Sequence, residues 1–215
     1  MSELKLTADS GGGSVSFKGP ATTTSNAAVP FVLPVADGSA GEFLKTDGSK
    51  NLSFAAAGGG IKHCSEWRIN SAFAQDTGLV INANWEEADD ASYSRIGSAI
   101  TQSSGVFTLP EAGIWRIDLN IYAYQTNAHR RYFEGLIQVS TNSGVAYDAR
   151  ALCVGNLYDS DADTISTAYC STIQDVTDAS AFRVRFYFSA SADTILYGHT
   201  DTTHTGVIFT RLGDT

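Results

Sequence analysis

Basic residues are scarce in this sequence, and segments that would place it at a membrane are missing. It has 14 Lys and Arg against 23 Asp and Glu, a formal net charge of −9 at pH 7. A protein that neutralises phosphates needs the opposite sign, so nucleic acid is not an expected partner. The sequence has no apolar run of about 18 residues, and its start lacks a basic segment followed by an apolar one. We therefore expect no membrane insertion and no signal peptide.

Cysteine is also scarce, and the motifs of common catalytic and metal centres are absent. Cys64, Cys153 and Cys170 lie far apart, with no Cys-x-x-Cys pair. Free, mostly buried thiols in a reducing cytosol are favoured, and one disulfide with a spare thiol is the alternative. No GxSxG, HExxH or Walker motif occurs. We therefore expect no enzymatic activity, no bound metal and no cofactor. Carboxylates paired between subunits are the remaining catalytic alternative.

The composition of the chain changes near residue 60. Residues 1–60 hold 10 of the 20 Gly, 3 of the 4 Pro and 4 Phe, but no Trp or Tyr. The run AAAGGG at 55–60 is typical of a hinge. Before it, EFLKTDGSKNLSFA predicts a small β-hairpin that turns at Asp47-Gly48 and is marginal in water alone. The sequence therefore predicts an extended arm over 1–60, flexible or ordered by other chains, and a folded head over 61–215.

Residues 61–215 show the two-residue alternation of β-strands, and no window has a helical period. In GIWRIDLNIYAYQ, Trp115, Ile117 and Leu119 alternate with polar residues. Phe186 in AFRVRFYFSA and Phe209 in the last predicted strand follow the same pattern. Turn sequences separate eight to ten short strands. We therefore predict an all-β sandwich or jelly roll with these five residues in its core.

Five positions leading into the central strand match a family pattern. Gly105, Phe107, Pro110, Gly113 and Trp115 form G-x-F-x-x-P-x-x-G-x-W within SSGVFTLPEAGIWRIDLNIYAY. This stretch, STIQDVTDASAFRVRFYFSA and the closing GVIFTRLGDT resemble the jelly-roll head shared by tumour necrosis factor and complement-type trimers. The resemblance implies a TNF-like jelly-roll sandwich that assembles as a homotrimer.

Other stretches resemble the fibre and spike proteins of tailed phages, particularly marine ones. They are NWEEADDASYSRIGSAITQSSGVF, the terminal FTRLGDT and, in the arm, LPVADGSAGEFLKTDGSKNLSF. The resemblance implies a virion surface protein, assembled in the bacterial host cytoplasm, that acts as a short fibre or spike and contacts a host glycan or protein. A capsid decoration protein whose arm staples neighbouring shell subunits is the alternative, and a secreted lectin-like or signalling trimer is a weaker third. The residues expected to dock the arm on tail or capsid proteins are Phe17, Phe31, Phe43 and Phe54.

Tyrosines on strand faces opposite the core argue for self-association independently of the resemblance. Tyr122, Tyr124 and Tyr169 are predicted at the trimer interface, and Tyr187 is a fourth tyrosine on a face opposite the core residues of its strand. Several exposed tyrosines on one sheet are more apolar surface than a monomer needs. Tyrosines that simply line the surface are the alternative.

A few clusters remain as candidate binding groups. Segment 159–163 has Asp at alternate positions, as in a calcium loop, but lacks that loop's Gly and final Glu. WEEADD at 85–90 is a second acidic cluster, and for both clusters solvated carboxylates are favoured over a weak calcium site. His199 and His204 are expected to be exposed loop histidines. The Arg-Arg pair at 130–131 could bind an anionic sugar.

Overall fold

The computed structural model describes residues 3–7, 14–18, 23, 29–56, 60–75, 78–125, 131–157, 164–190 and 194–215. The chain divides into two compact units, Met1–Gly59 and Gly60–Thr215. All the regular elements in the described residues are β-strands. None of these residues forms a helix with the length and hydropathy of a membrane span.

Two antiparallel hairpins make up the regular structure described in the first unit. They are β1 (Glu3–Thr7) with β2 (Ser14–Lys18), and β3 (Glu42–Thr46) with β4 (Leu52–Ala56). The second is the hairpin that the sequence predicts, and Asp47 closes its turn by accepting a hydrogen bond from the Ser49 N–H at 2.7 Å. The first is not predicted, because ELKLT and SVSFK are short and are joined through a run of three glycines.

The second unit is a sandwich of two antiparallel sheets. Sheet I is built on β11 (Gly113–Gln125), which pairs along one edge with β14 (Thr164–Val176) and along the other edge with β17 (Gly206–Gly213) followed by β16 (Thr194–His199). Further out, β6 (Ser71–Gln75) pairs with β16, β5 (Cys64–Ile69) pairs with β17, and β8 (Trp85–Glu87) pairs with β5. Sheet II contains β13 (Asp148–Asn156), β12 (Tyr132–Ser140), β15 (Arg183–Ser189), β10 (Val106–Thr108) and β9 (Thr101–Ser103), and β7 (Leu79–Val80) pairs with β15.

The core lies between the sheets and is built around aromatic side chains. The Phe107 ring contacts the rings of Trp67, Trp85, Phe186 and Phe209 at centroid distances of 5.1 to 5.4 Å. Edge-on and tilted contacts of this kind are the preferred arrangement of aromatic pairs. The five residues predicted for the core are all fully buried here: Trp115, Ile117, Leu119, Phe186 and Phe209.

The backbone conformation at Gly105 accounts for the glycine at the start of the motif that precedes the central strand β11. Ser104 and Gly105 both have positive φ, 49° and 76°, and form the two-residue turn between β9 and β10. Positive φ at both positions is the pattern of a type I′ hairpin turn. A Cβ on Gly105 would lie 2.1 Å from the Ile81 carbonyl oxygen, so a larger residue cannot be accommodated there without a shift of the backbone.

Not every stretch with a β-like sequence forms one continuous strand. EWRINSAFA is not one strand, because β5 ends at Ile69 and β6 begins at Ser71, where pairing changes from β17 to β16. GVAYDARAL is strand only from Asp148, since the preceding residues form a turn. Ser140 and Asn142 fix that turn through side-chain hydrogen bonds to the N–H groups of Gly144 and Ala146.

Candidate functional site

The three tyrosines that the sequence predicts at an interface lie on the outward side of sheet I. Along β11, odd-numbered residues are buried between the sheets, and even-numbered ones from Ile114 to Tyr124 point outward. Along β14, the odd-numbered residues opposite them are exposed. We call the outward side chains of β11, β14, β16 and β17, with His204, the outer face of sheet I.

An ion pair joined to a phenol lies in the middle of this face. The Arg116 Nε donates to Asp118 Oδ1 at 2.9 Å, and its Nη2 donates to the Tyr169 hydroxyl at 2.9 Å. The Tyr169 hydroxyl in turn donates to Asp118 Oδ1 at 2.5 Å. The hydrogen bond to Tyr169, followed by that to Asp118, raises the pKa of the Arg116 guanidinium. The three groups are already paired, so covering them costs less desolvation than covering isolated charges.

Aromatic rings cover the part of the face beside β16. The Tyr197 ring contacts Tyr122 at 5.3 Å, Tyr124 at 5.7 Å and His204 at 4.7 Å. His204 is thus part of a ring cluster rather than an isolated loop residue, and its ring also lies 6.1 Å from that of His199. Both histidines are partly covered.

A buried threonine closes the gap between β16 and β17 behind these rings. The Thr205 hydroxyl accepts from the Tyr122 N–H at 3.0 Å and donates to the Tyr122 carbonyl oxygen at 3.1 Å. It takes the place of a strand where β11 has no backbone partner on that side. These two hydrogen bonds hold the backbone that carries Tyr122. Sequence analysis missed Thr205, because a single threonine forms no recognisable pattern.

Large apolar side chains surround the polar centre and are open to solvent. Ile165, Tyr169 and Ile173 follow one another along β14 with 58%, 55% and 62% of their surface exposed. Ile208 and Leu212 of β17 add to the same face and are also exposed. Of the three tyrosines predicted at an interface, Tyr169 is exposed and Tyr122 and Tyr124 are half-buried here. Tyr187 lies on sheet II instead, with its hydroxyl against Gly78.

The acidic cluster at 85–90 surrounds a buried arginine. Arg68 has no exposed surface, and it forms ion pairs with Glu86 at 2.8 Å, Asp89 at 2.6 Å and Asp90 at 2.7 Å. Burial opposes ionisation of Glu86, but hydrogen bonds from Arg68, Asn70 and Thr200 together lower its pKa. These carboxylates are therefore structural partners of Arg68, which sequence analysis overlooked between Trp67 and Ile69.

The other candidate binding groups from the sequence form no common site in the residues that the structure describes. Segment 159–163 and residue 130 lie outside the described residues, while Arg131 is described and exposed. In the described part of the chain no three His, Cys, Asp or Glu residues form a metal-binding group. The three cysteines are free thiols, with Cys64 half-buried and Cys153 and Cys170 buried.

Three of the four arm phenylalanines have exposed side chains in the described residues. Phe31, Phe43 and Phe54 are exposed on the second hairpin and the segment before it. Phe17 lies on β2, but its side chain is not among those that the structure describes. Val32 bridges to Asn51 in parallel, which places the exposed segment 31–35 beside β4.

Comparison with known proteins identifies the fold. No family model and no curated protein matches the sequence. Among solved structures, the chain is similar to Eiger TNF from S. frugiperda, with a TM-score of 0.54 and 12% identity over 71% of this chain and 93% of that one. It is also similar to murine APRIL at pH 5.0, with a TM-score of 0.49 and 12% identity over 70% of this chain and 98% of that one. The second unit is thus a TNF-like jelly roll, as the sequence predicts.

Proposed function

We propose that this protein is a non-enzymatic virion structural protein, a homotrimeric short fibre or spike of a tailed phage. Its head associates through the outer face of sheet I, and its first unit attaches to tail or capsid proteins. The observation that carries self-association is the exposed row Ile165, Tyr169 and Ile173 beside a polar centre that is already paired. A monomer gains nothing from exposing this apolar surface, whereas a second and third copy would bury it.

The place of the protein on a phage rests on sequence resemblance and on the exposed arm. LPVADGSAGEFLKTDGSKNLSF resembles a linker of phage fibre proteins, and Phe31, Phe43 and Phe54 on this segment are open to a partner. The same exposure suits a decoration protein whose arm lies on the capsid, so that function is the second candidate. Imaging of gold-labelled protein on particles tests the two: label at the tail tip or on projecting fibres supports the first, label spread over the shell supports the second, and no label on any particle overturns both.

Self-association through this face is tested by a charge placed within it. Ile173→Glu should convert the full chain from trimer to monomer in sedimentation equilibrium at micromolar concentration, because three carboxylates would then have to be buried. Val154→Glu is the matched control, since Val154 is 51% exposed on β13 of sheet II, outside the face. If Ile173→Glu remains a trimer, the outer face of sheet I is not the interface.

A further inference from the structure

Five arginines described in the second unit are paired with carboxylates. Each of the following has an Asp or Glu oxygen within 3.3 Å: Arg68, Arg95, Arg116, Arg150 and Arg211. By contrast, neither Arg183 nor Arg185 of β15 has a carboxylate oxygen of the described residues within 4.0 Å. In a chain with 23 acidic and 14 basic residues, two arginines on one strand face with no close carboxylate among the described residues leave positive charge for another partner.

Arg185 is held in a fixed orientation. Its Nε donates to Gln138 Oε1 at 2.7 Å, and Gln138 is its direct neighbour on β12. Its guanidinium carbon lies 3.8 Å from the centroid of the Tyr147 ring. Among the described residues, these contacts use one N–H donor and one face of the group, so the donors of both terminal nitrogens are open to another partner. A planar guanidinium fixed in this way suits bidentate binding of a carboxylate or phosphate.

The surroundings of Arg185 favour an anion that comes from outside the protein. Arg183 lies two residues away on the same side of β15, and its Nη1 donates to the Phe182 carbonyl oxygen at 2.7 Å. Two carboxylates lie near this strand, Asp148 at the start of β13 and Asp178 in the turn before β15, and both are engaged. Asp148 pairs with Arg150 at 3.3 Å. Hydrogen bonds from Ser180, with a smaller contribution from the charge of Arg183, lower the pKa of Asp178.

The same region offers groups for a neutral, hydroxyl-rich part of a ligand. Tyr147 is half-buried, so part of its ring is open beside Arg185. The turn before it exposes Thr141 and Ser143, whose hydroxyls can both donate and accept hydrogen bonds. The outer side of sheet II, away from the outer face of sheet I, therefore combines a positive charge that can bind an oxyanion with an aromatic ring and hydroxyl groups.

We propose that Arg185, oriented by Gln138 and Tyr147 and supported by Arg183, binds the oxyanion of an acidic sugar. The oxyanion is a carboxylate, as in a uronic or sialic acid, or a phosphate ester. The site adds to the proposed function a group on the head that can bind a charged host glycan. It rests on that function only for the source of the sugar.

The experiment is saturation-transfer NMR on the full chain at pH 7 and low salt, with glucuronic acid, glucose 6-phosphate and glucose as the three probes. We expect millimolar binding of at least one anionic sugar, no binding of glucose, and weaker binding as salt is raised, because screening acts on partly exposed charges. Binding of glucuronic acid alone identifies a carboxylate site, and binding of both anions identifies a general oxyanion site. Arg185→Gln should weaken binding at least tenfold, since it removes the charged partner.

The control is Arg95→Gln, which loses the same charge at an arginine paired with Glu87. It should bind like the wild type. Tyr147→Leu removes the stacking ring but no charge, so it should weaken binding less than Arg185→Gln does. It provides a second test of the site in case Arg185→Gln fails to fold. Equal binding of glucose, no binding of either anion, or unchanged affinity in folded Arg185→Gln overturns the site. Light scattering on the same samples separates the two proposals: a monomer that binds refutes only the trimer, and a trimer that binds neither anion refutes only the site.

Discussion

At the scale of single residues, Arg68 organises one edge of sheet I. Arg68 lies on β5, and its fully buried guanidinium forms ion pairs with Glu86, Asp89 and Asp90. Loss of one side of a buried ion pair leaves the partner charges uncompensated, which is more costly than the absence of the whole pair. Arg68 therefore fixes the segment 85–90 that the sequence shows only as a run of acids.

Arg68→Met should destabilise the head by about 3 kcal/mol at pH 7, because the carboxylates lose their cation. The pH dependence follows from Glu86, whose pKa is lowered in the folded protein. A lowered carboxyl pKa gives stability that is present above the unfolded value, about 4.3, and is lost as the pH falls towards the folded value. Thermal melting should thus show the wild type losing stability below about pH 4.5.

The same melts on Arg68→Met provide the control. The difference between the two proteins should shrink as Glu86 becomes protonated. A difference that stays constant from pH 7 to pH 3 would show that Arg68 acts through packing alone.

The three thiols should react in a fixed order. The neighbouring Cys153, followed by burial, raises the pKa of the Cys170 thiol far above its usual range, while the hydrogen bond from Cys170 lowers that of Cys153. The thiolate is the reactive form, and Cys64 is the only one of the three that is not buried. Mass spectrometry after iodoacetamide pulses on the native protein should find Cys64 alkylated first and Cys170 last. Early modification of Cys170 would contradict the described core.

At the scale of elements, β11 carries both the core and the proposed interface on its two sides. Trp115 is fully buried, and its Nε1 donates to the Glu111 carbonyl oxygen at 3.2 Å. Trp115→Ala should cost about 3–5 kcal/mol through the cavity that it leaves. Tyr124→Ala, on the outward side of the same strand, should change the stability of the isolated head much less. Urea denaturation measures both; equal costs would mean that the two sides of β11 are not distinguished as described.

Sequence alternation was sufficient to predict which side of β11 is buried, because a period of two assigns every residue to one face. It could not predict the break of EWRINSAFA at Asn70, since alternation continues across a change of pairing partner. Nor could it predict the role of Thr205 or of Arg68, because their partners lie 83 and 18 to 22 residues away. The predicted site residues Tyr122 and Tyr169 share a face only through the pairing of β11 with β14.

At the scale of the whole molecule, the two units carry different tasks in the proposed function. Deletion of residues 1–60 should leave a head with the same thermal midpoint and the same oligomeric state, because its core lies within Gly60–Thr215. The truncated head should nevertheless fail to join particles, since the exposed arm phenylalanines are gone. Electron microscopy and pelleting of particles assembled with it check this. Normal incorporation would show that the head, rather than the arm, attaches to the virion.

Self-association is the central claim, because the avidity of a fibre and the burial of the outer face of sheet I both depend on it. The most direct test is the mass of the full, untagged chain in solution at micromolar concentration, measured by multi-angle light scattering. The account predicts three times the chain mass of 22.8 kDa. A monodisperse species of 22.8 kDa would contradict it.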